Sequence, residues 1–122
     1  MNPFSMLKAA FRSAPSCAPA DCAGRVRNGE ALLVDVREPD EWADGVADSA
    51  ILLSFSDFTG ARAQWAGFLA GVKGREVLLY CASGARSGFA ARVLSAEGIR
   101  ATNTGGLGDW AAAGWPVSAP PR

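Results

Sequence analysis

The sequence predicts an α/β protein built on parallel strands. Two short runs, residues 31–36 and residues 77–80, are almost wholly apolar, which is typical of strands buried on both faces of a parallel sheet. A small, glycine-bearing loop and a segment with helical periodicity follow the second run, so we expect a strand, a tight turn and a helix there. With 122 residues, 49% of them apolar, the chain is one domain that can bury a core without metal or disulfide bonds.

The amino-terminal part of the chain divides into an extension and the start of the domain. Residues 1–18 are expected to form a loosely docked extension, and residues 19–118 the domain itself. The first predicted helix of the domain has Asp21 in its first turn and ends at Asn28 and Gly29.

The first apolar run predicts a strand over residues 31–36. Asp35 and Arg37 lie at its carboxyl end, and we expect their opposite charges to pair there and tie the strand to the next loop. A short helix is expected after Glu38, followed by a short strand over residues 51–53.

A single helical face is predicted between residues 55 and 72. Its apolar residues recur at spacings of three, four and seven: Phe55, Phe58, Trp65, Phe68, Leu69 and Val72. Aromatic residues with this spacing belong to a core far more often than to a ligand site, so we assign them to packing. Gly71 and Gly74 end the segment and lead into the strand before Cys81.

The carboxyl-terminal part continues with a helix over residues 86–97, closed by Gly98, and a more polar strand over residues 99–104. Gly105 and Gly106 then predict either a close backbone approach or a positive φ beside the loop after Cys81. A final short helix and the tail, with their two tryptophans, are expected to pack back on the sheet.

The loop after Cys81 is the candidate active site. Loop amides and the free N–H groups of a helix amino terminus converge at such a junction and create a positive pocket. A Cys81 thiolate would be stabilised there by the amides and by Arg86, so its pKa should fall below that of a free cysteine.

An unpaired cysteine at a strand end is more often a buried structural residue. The residues after Cys81 favour catalysis instead, because four small residues leave the loop interior open and a guanidinium and a hydroxyl begin the helix: Ala82, Ser83, Gly84, Ala85, Arg86 and Ser87.

Composition excludes several kinds of site. The chain has no histidine, which removes Ser-His-Asp, Cys-His and His-ligated metal chemistry, and we expect no metal and no cofactor. Twelve basic residues balance twelve acidic ones, so nothing favours nucleic acid or an anionic membrane as a partner. The three cysteines are too few for a disulfide framework, and we leave Cys17 and Cys22 out of the site.

The same features predict a cytoplasmic monomer. The amino-terminal segment is a poor secretory signal because Lys8 and Arg12 interrupt its apolar residues. No stretch of the sequence is long and apolar enough to span a membrane. Unpaired cysteines fit a reducing compartment.

Four stretches occur in a telling order: Leu-Val-Asp-Val-Arg-Glu-Pro-Asp-Glu-Trp at 33–42, Cys-Ala-Ser-Gly-Ala-Arg-Ser at 81–87, Gly-Gly-Leu-Gly-Asp-Trp at 105–110 and Gly-Trp-Pro-Val at 114–117. In order and spacing they resemble the rhodanese family of sulfurtransferases, over nearly the whole chain after Pro19. The resemblance implies a mainly parallel sheet of about five strands flanked by helices on both faces.

The resemblance also implies an activity. The family's cysteine, here Cys81, takes sulfane sulfur from thiosulfate or a persulfide donor and passes it to cyanide or a thiol. Asp35 and Arg37 match the family's Asp-x-Arg element, which braces the active-site region. The chain departs from the family at residues 45–54, where a histidine, a glycine and a proline are replaced, and a local change of conformation is expected there.

Two other functions remain open. Protein phosphatases and arsenate reductases also use a cysteine loop that ends in arginine, but here four residues separate Cys81 from Arg86, one fewer than in those loops. Rhodanese-like folds without the cysteine serve as binding or regulatory modules, and this chain retains it. Because Ala82 and Ser83 are neutral, we expect thiosulfate to be a poor donor.

Overall fold

The computed structural model describes residues 15–120, so residues 1–14 of the predicted extension lie outside the described part. The helices there are α1 (Pro19–Arg27), α2 (Pro39–Trp42), α3 (Phe55–Thr59), α4 (Ala63–Ala70), α5 (Ala85–Ala96) and α6 (Leu107–Ala112). The strands are β1 (Ala31–Asp35), β2 (Val46–Ala47), β3 (Ile51–Leu52), β4 (Glu76–Cys81), β5 (Ala101–Gly106) and β6 (Val117–Ser118). Within residues 15–120, no helix has the length and apolar character needed to cross a membrane.

The main sheet is parallel and has the strand order β3-β1-β4-β5. We expected about five strands, and the described sheet has four. At the β5 edge, Ser16 forms one parallel bridge with Asn103, which is too short to count as a strand. The remaining two strands, β2 and β6, pair with each other in a small antiparallel sheet.

The main sheet is buried on both faces, as its apolar strands predicted. Alternate residues of β4 enter two separate clusters: Val77 and Leu79 face one, while Leu78 and Tyr80 face the other. Residues of α3, α4 and α5 complete the first cluster, and residues of α1 and α6 complete the second. The prediction of helices on both faces of a mainly parallel sheet is therefore confirmed.

The prediction of one helix between residues 55 and 72 is wrong. The segment forms two helices, and Arg62 between them has a φ of 56°, which no α-helix accommodates. The carboxylate of Asp57 accepts hydrogen bonds from the first three N–H groups of α4, those of Ala63 at 2.9 Å and of Gln64 and Trp65 at 3.1 Å. This cap starts a new helix where the sequence pattern predicted a continuous one.

The predicted role of that segment as core is right. Three of its apolar residues are buried and three pack partly buried against the same cluster: Phe58, Trp65 and Val72, then Phe55, Phe68 and Leu69. Phe58, Trp65 and Val72, which are spaced seven residues apart, are therefore all buried although the helix is interrupted between the first two.

Other element boundaries differ from the predictions by one or two residues. The strand predicted over residues 99–104 begins at Ala101, two residues after its predicted start. The connection that departs from the family pattern turns at Ser49, with φ 68°, and its Asp48 carbonyl accepts the indole N–H of Trp115 at 2.8 Å. That bond and the β2–β6 pairing hold the tail against the domain.

The Asp57 cap gives a prediction about stability. Asp57→Ala leaves three helix N–H groups without their acceptor, and lost helix caps cost about 0.5–2 kcal/mol. Urea unfolding should show a free energy of unfolding lower by about 1–2 kcal/mol. The exposed Asp44 is the matched control, and Asp44→Ala should change the unfolding midpoint little. Equal effects of the two substitutions would contradict the capping role.

Candidate active site

Cys81 ends β4, and its side chain is almost fully buried beneath the loop that leads into α5. The Gly84 amide donates a hydrogen bond to the Cys81 Sγ at 3.0 Å, and the Ser87 hydroxyl lies 3.4 Å from the same atom. Gly84 has a φ of 99°, which glycine adopts without the penalty that a side chain brings. A strand end, a left-handed glycine and the first turn of α5 therefore converge on one sulfur.

The surroundings of Cys81 favour its thiolate. Burial of the sulfur raises the pKa, but hydrogen bonds from the Ser87 hydroxyl and from the amides of Ser87, Ser83 and Gly84 outweigh burial, so the pKa of Cys81 lies below its usual value. The donors are local to the loop and the helix start, as the sequence predicted. At a given pH, a larger fraction of Cys81 is therefore thiolate than for an unperturbed cysteine.

Arg86 is bound by an acidic residue that the sequence analysis did not identify, while its charge still attracts the Cys81 thiolate. We expected its guanidinium to assist the thiolate and orient an anionic donor, and in the structure both terminal nitrogens bind the Glu41 carboxylate, at 2.6 and 2.8 Å. Within residues 15–120 no hydrogen bond joins Arg86 to the Cys81 sulfur. Glu41, on the short helix α2, therefore neutralises Arg86, which is the one cation of the loop.

Asp35 and Arg37 form the predicted ion pair at the carboxyl end of β1. The Arg37 Nη2 and the Asp35 Oδ2 lie 2.8 Å apart, and both side chains are buried. The same nitrogen donates to the carbonyl of Gly45 at 2.7 Å, and the Trp42 indole donates to Asp35 at 3.1 Å. The pair therefore fixes both ends of the segment that carries Glu41.

The glycines at the end of β5 form the wall behind the cysteine loop. A Cβ on Gly106 would overlap the carbonyl oxygen of Ala82, and Gly105 has a φ of 90°. The amide of Gly106 donates to the Asp109 carboxylate at 2.8 Å, which holds the wall against α6. The two alternatives predicted for this pair of glycines, close approach and positive φ, both occur.

Two residues of the site escaped the sequence analysis. Glu41 looked like one of several acidic residues in a short helix, and only the fold brings it to Arg86. Asn103 looked like one residue of a more polar strand, yet its side chain contacts the loop at Gly84 and Ser87. Glu41 lies in the stretch at 33–42 that carries the family resemblance, but nothing in the sequence pairs it with Arg86, and Asn103 has no sequence signal of its own.

The other two cysteines lie apart from Cys81. Cys22 is buried in the second cluster and Cys17 packs partly buried against it, whereas Cys81 belongs to the first cluster. Burial and the neighbouring Cys17 raise the pKa of Cys22 to about 12. Within the described part of the chain, no three His, Cys, Asp or Glu side chains are grouped as ligands for a metal.

Comparison with known proteins agrees with this geometry. The family model for the rhodanese-like domain matches residues 18–113. The chain belongs to the rhodanese-like domain family. It is similar to a sulfurtransferase from Allochromatium vinosum, with 37% identity over 93 residues that cover 75% of this chain and 81% of that protein.

Solved structures share the rhodanese-like fold. A rhodanese-related protein from Thermoplasma volcanium has a TM-score of 0.67 and 28% identity, covering 87% of this chain and 99% of its own. A Rhodopseudomonas palustris protein of unknown function, described as a possible tyrosine phosphatase, has a TM-score of 0.71 and covers 93% of this chain and 91% of its own. Its 24% identity makes that likeness one of fold alone.

The contrast between Cys81 and Cys22 gives a prediction about reactivity. The pKa of Cys81 is lowered, while that of Cys22 is raised to about 12. Iodoacetamide at pH 7 should therefore alkylate Cys81 and leave Cys22 intact, as read by peptide mass spectrometry. The Cys17→Ser variant removes the half-buried third thiol and serves as the control. Faster modification of Cys22 than of Cys81 would contradict the thiolate assignment.

The Glu41–Arg86 pair gives a prediction about acid stability. The hydrogen bond from Arg86 lowers the pKa of Glu41 to about 2, so the pair stabilises the folded state above the usual carboxyl pKa. That contribution should fade as the pH drops from about 4.5 toward 2. Glu41→Gln should lower the melting temperature by up to about 5 °C at pH 6 and by less at pH 3. An undiminished difference at pH 3 would contradict this.

Proposed function

We propose that the protein is a sulfurtransferase that carries sulfane sulfur as a persulfide on Cys81. The observation that supports this most directly is the Cys81 sulfur, buried and held by the Gly84 amide and beside the Ser87 hydroxyl at the start of α5. Membership of the rhodanese-like family and likeness to a sulfurtransferase support the same class of activity.

The proposed reaction has two displacement steps. The Cys81 thiolate attacks the sulfane sulfur of the donor, an S–S bond forms, and the donor's S–S bond breaks with its electron pair leaving on the donor fragment. A thiolate or cyanide then attacks the outer sulfur of the persulfide, and the Cys81 thiolate leaves. The hydrogen bonds that lower the pKa of Cys81 also make it a better leaving group in this second step.

The donor that fits the loop best is a thiol persulfide rather than thiosulfate. Thiosulfate carries two negative charges, and Ala82 and Ser83 offer it no cation. The only guanidinium of the loop, on Arg86, is held by Glu41. A persulfide places a single charge on its terminal atom, which loop amides can accommodate.

A cysteine phosphatase or arsenate reductase is the alternative enzyme. Such chemistry needs donors spread around three oxygens of a tetrahedral group, and the arginine of the loop is the side chain that would supply them. Here Arg86 binds Glu41, which favours sulfur over phosphoryl transfer. A rhodanese-like sulfur carrier or regulatory binding module is the third reading.

The setting that we propose is the reducing cytoplasm, with the protein acting as a monomer on small-molecule or protein partners. All three cysteines are unpaired, which supports a reducing compartment. A basic surface for nucleic acid or membrane is not expected, because the net charge of the chain is zero.

The test is direct detection of the carried sulfur. Purified protein is incubated with glutathione persulfide or with thiosulfate, and intact mass spectrometry should show one added sulfur that cyanide removes as thiocyanate. Loading should be faster with the persulfide than with thiosulfate. Cys81→Ser should abolish both loading and thiocyanate release, while Cys17→Ser and Cys22→Ser should leave them nearly unchanged.

Other outcomes would replace the proposal. Cys81-dependent hydrolysis of an aryl phosphate, with no added sulfur from either donor, would establish the phosphatase reading. Loss of thiocyanate release in Cys17→Ser or Cys22→Ser would show that Cys81 is not the sole essential thiol. If neither an added sulfur nor aryl phosphate hydrolysis is detected, the binding module replaces the enzyme as the proposed function.

A further inference from the structure

Asn103 lies in β5, directly beside the cysteine loop. Its carboxamide makes three contacts there: the Nδ2 donates to the Gly84 carbonyl at 3.1 Å, and the Oδ1 accepts the Gly105 amide at 3.1 Å and lies 2.7 Å from the Ser87 Oγ. The side chain is therefore bonded to the residue whose amide holds the Cys81 sulfur and to the residue whose hydroxyl faces it.

The orientation of the Asn103 amide is fixed by these partners. A reversed amide would place its oxygen against the Gly84 carbonyl and its NH₂ against the Gly105 N–H, so both bonds would be lost. The missing side chain of Gly88 makes room for the carboxamide, since a Cβ there would lie 3.1 Å from the Nδ2. Asn103 thus presents an acceptor oxygen, and not a donor, to Ser87.

The Ser87 hydroxyl has one proton and more than one acceptor. The Asn103 Oδ1 lies at 2.7 Å, whereas the Cys81 Sγ lies at 3.4 Å and the Gly105 carbonyl also at 3.4 Å. Ser87 is fully buried, so bulk water does not supply a substitute. If the proton turns to the sulfur, two oxygen acceptors face each other across 2.7 Å, which is unfavourable.

We propose that Asn103 is a positioning residue that competes with the Cys81 sulfur for the single proton of the Ser87 hydroxyl. Asn103 does not touch the reacting atoms. It acts through Ser87 by weakening the hydrogen bond from the Ser87 hydroxyl to the Cys81 thiolate. The sulfur is therefore more basic than it would be if Ser87 donated its proton only to Cys81.

The consequence for sulfur transfer rests on the proposed function. A more basic thiolate is a stronger nucleophile toward the donor and a poorer leaving group from the persulfide. Asn103 therefore favours loading of Cys81 over release.

The charged groups around the loop are the same in the wild-type protein and in variants that replace Asn103 or Ser87 by an uncharged residue. They are Arg86 on α5, held by Glu41 on α2, and Asp109 on α6, which accepts the Gly106 amide. Among the described residues, none of the three forms a hydrogen bond with Ser87 or Asn103.

The experiment measures the iodoacetamide alkylation rate of Cys81 against pH, in a Cys17→Ser/Cys22→Ser background. Asn103→Leu removes the competing acceptor at similar volume, so the midpoint should fall by about one pH unit. The rate on the high-pH plateau should then fall about threefold, because nucleophilicity declines with pKa. Asn103→Asp keeps an acceptor and adds a negative charge, so its midpoint should rise.

A second pair of variants separates competition from loosening of the loop. In a Ser87→Ala background there is no proton to compete for, and Asn103→Leu should leave the midpoint unchanged. Both Asn103→Leu and Asn103→Asp lose the bond to Gly84, so loosening alone would move both midpoints upward. A rise in Asn103→Leu, or a shift that persists with Ser87→Ala, would overturn the proposal.

Two controls keep the result interpretable. Circular dichroism verifies that each variant is folded, and Asn103→Ala replaces Asn103→Leu in the same comparisons if leucine disrupts the fold. Alkylation requires no sulfur transfer, so the two proposals fail separately. The predicted shifts without any carried sulfur would refute only the sulfurtransferase, and carried sulfur with an unmoved midpoint would refute only the role of Asn103.

Discussion

The close contact between the Gly106 backbone and the Ala82 carbonyl is the constraint on which the rest of the site depends. No side chain fits between the end of β5 and the cysteine loop, so the loop lies directly on the strand. This contact sets the path from Cys81 to Gly84, and the left-handed φ of Gly84 then turns its amide onto the sulfur. The lowered pKa of Cys81 thus depends on the Ser87 hydroxyl and on loop amides that these two backbone features help to place.

A second set of interactions positions the other side of the site. The buried pair of Asp35 and Arg37 holds α2 through Trp42 and Gly45, and α2 in turn presents Glu41 to Arg86. The arginine of the loop is therefore part of a brace between α2 and α5. This arrangement neutralises the guanidinium of the loop, which is why we propose a donor of low charge.

Local signals explain what could be predicted from the sequence. The apolar run before Cys81 and the small residues after it specify a strand, a turn and a helix within twenty residues, so both the fold class and the candidate nucleophile could be identified. The break between α3 and α4 escaped prediction because the repeat of aromatic residues continues through it, while the cap that causes it needs Asp57 to reach forward to Ala63. Glu41 and Asn103 escaped for a stronger reason: their partners are distant in the chain, and only the packed sheet brings them together.

The bridge between Ser16 and Asn103 also affects the tendency of the main sheet to pair with strands of other chains. β5 is an edge strand, and an exposed edge offers unpaired amides and carbonyls that another chain could join. On that side the Asn103 N–H donates to the Pro15 carbonyl and the Asn103 carbonyl accepts from the Cys17 N–H. Pro15 itself has no N–H that could bind a further strand. The opposite edge, β3, has only two residues. In the described part of the chain, both borders of the main sheet are therefore poor templates for aggregation.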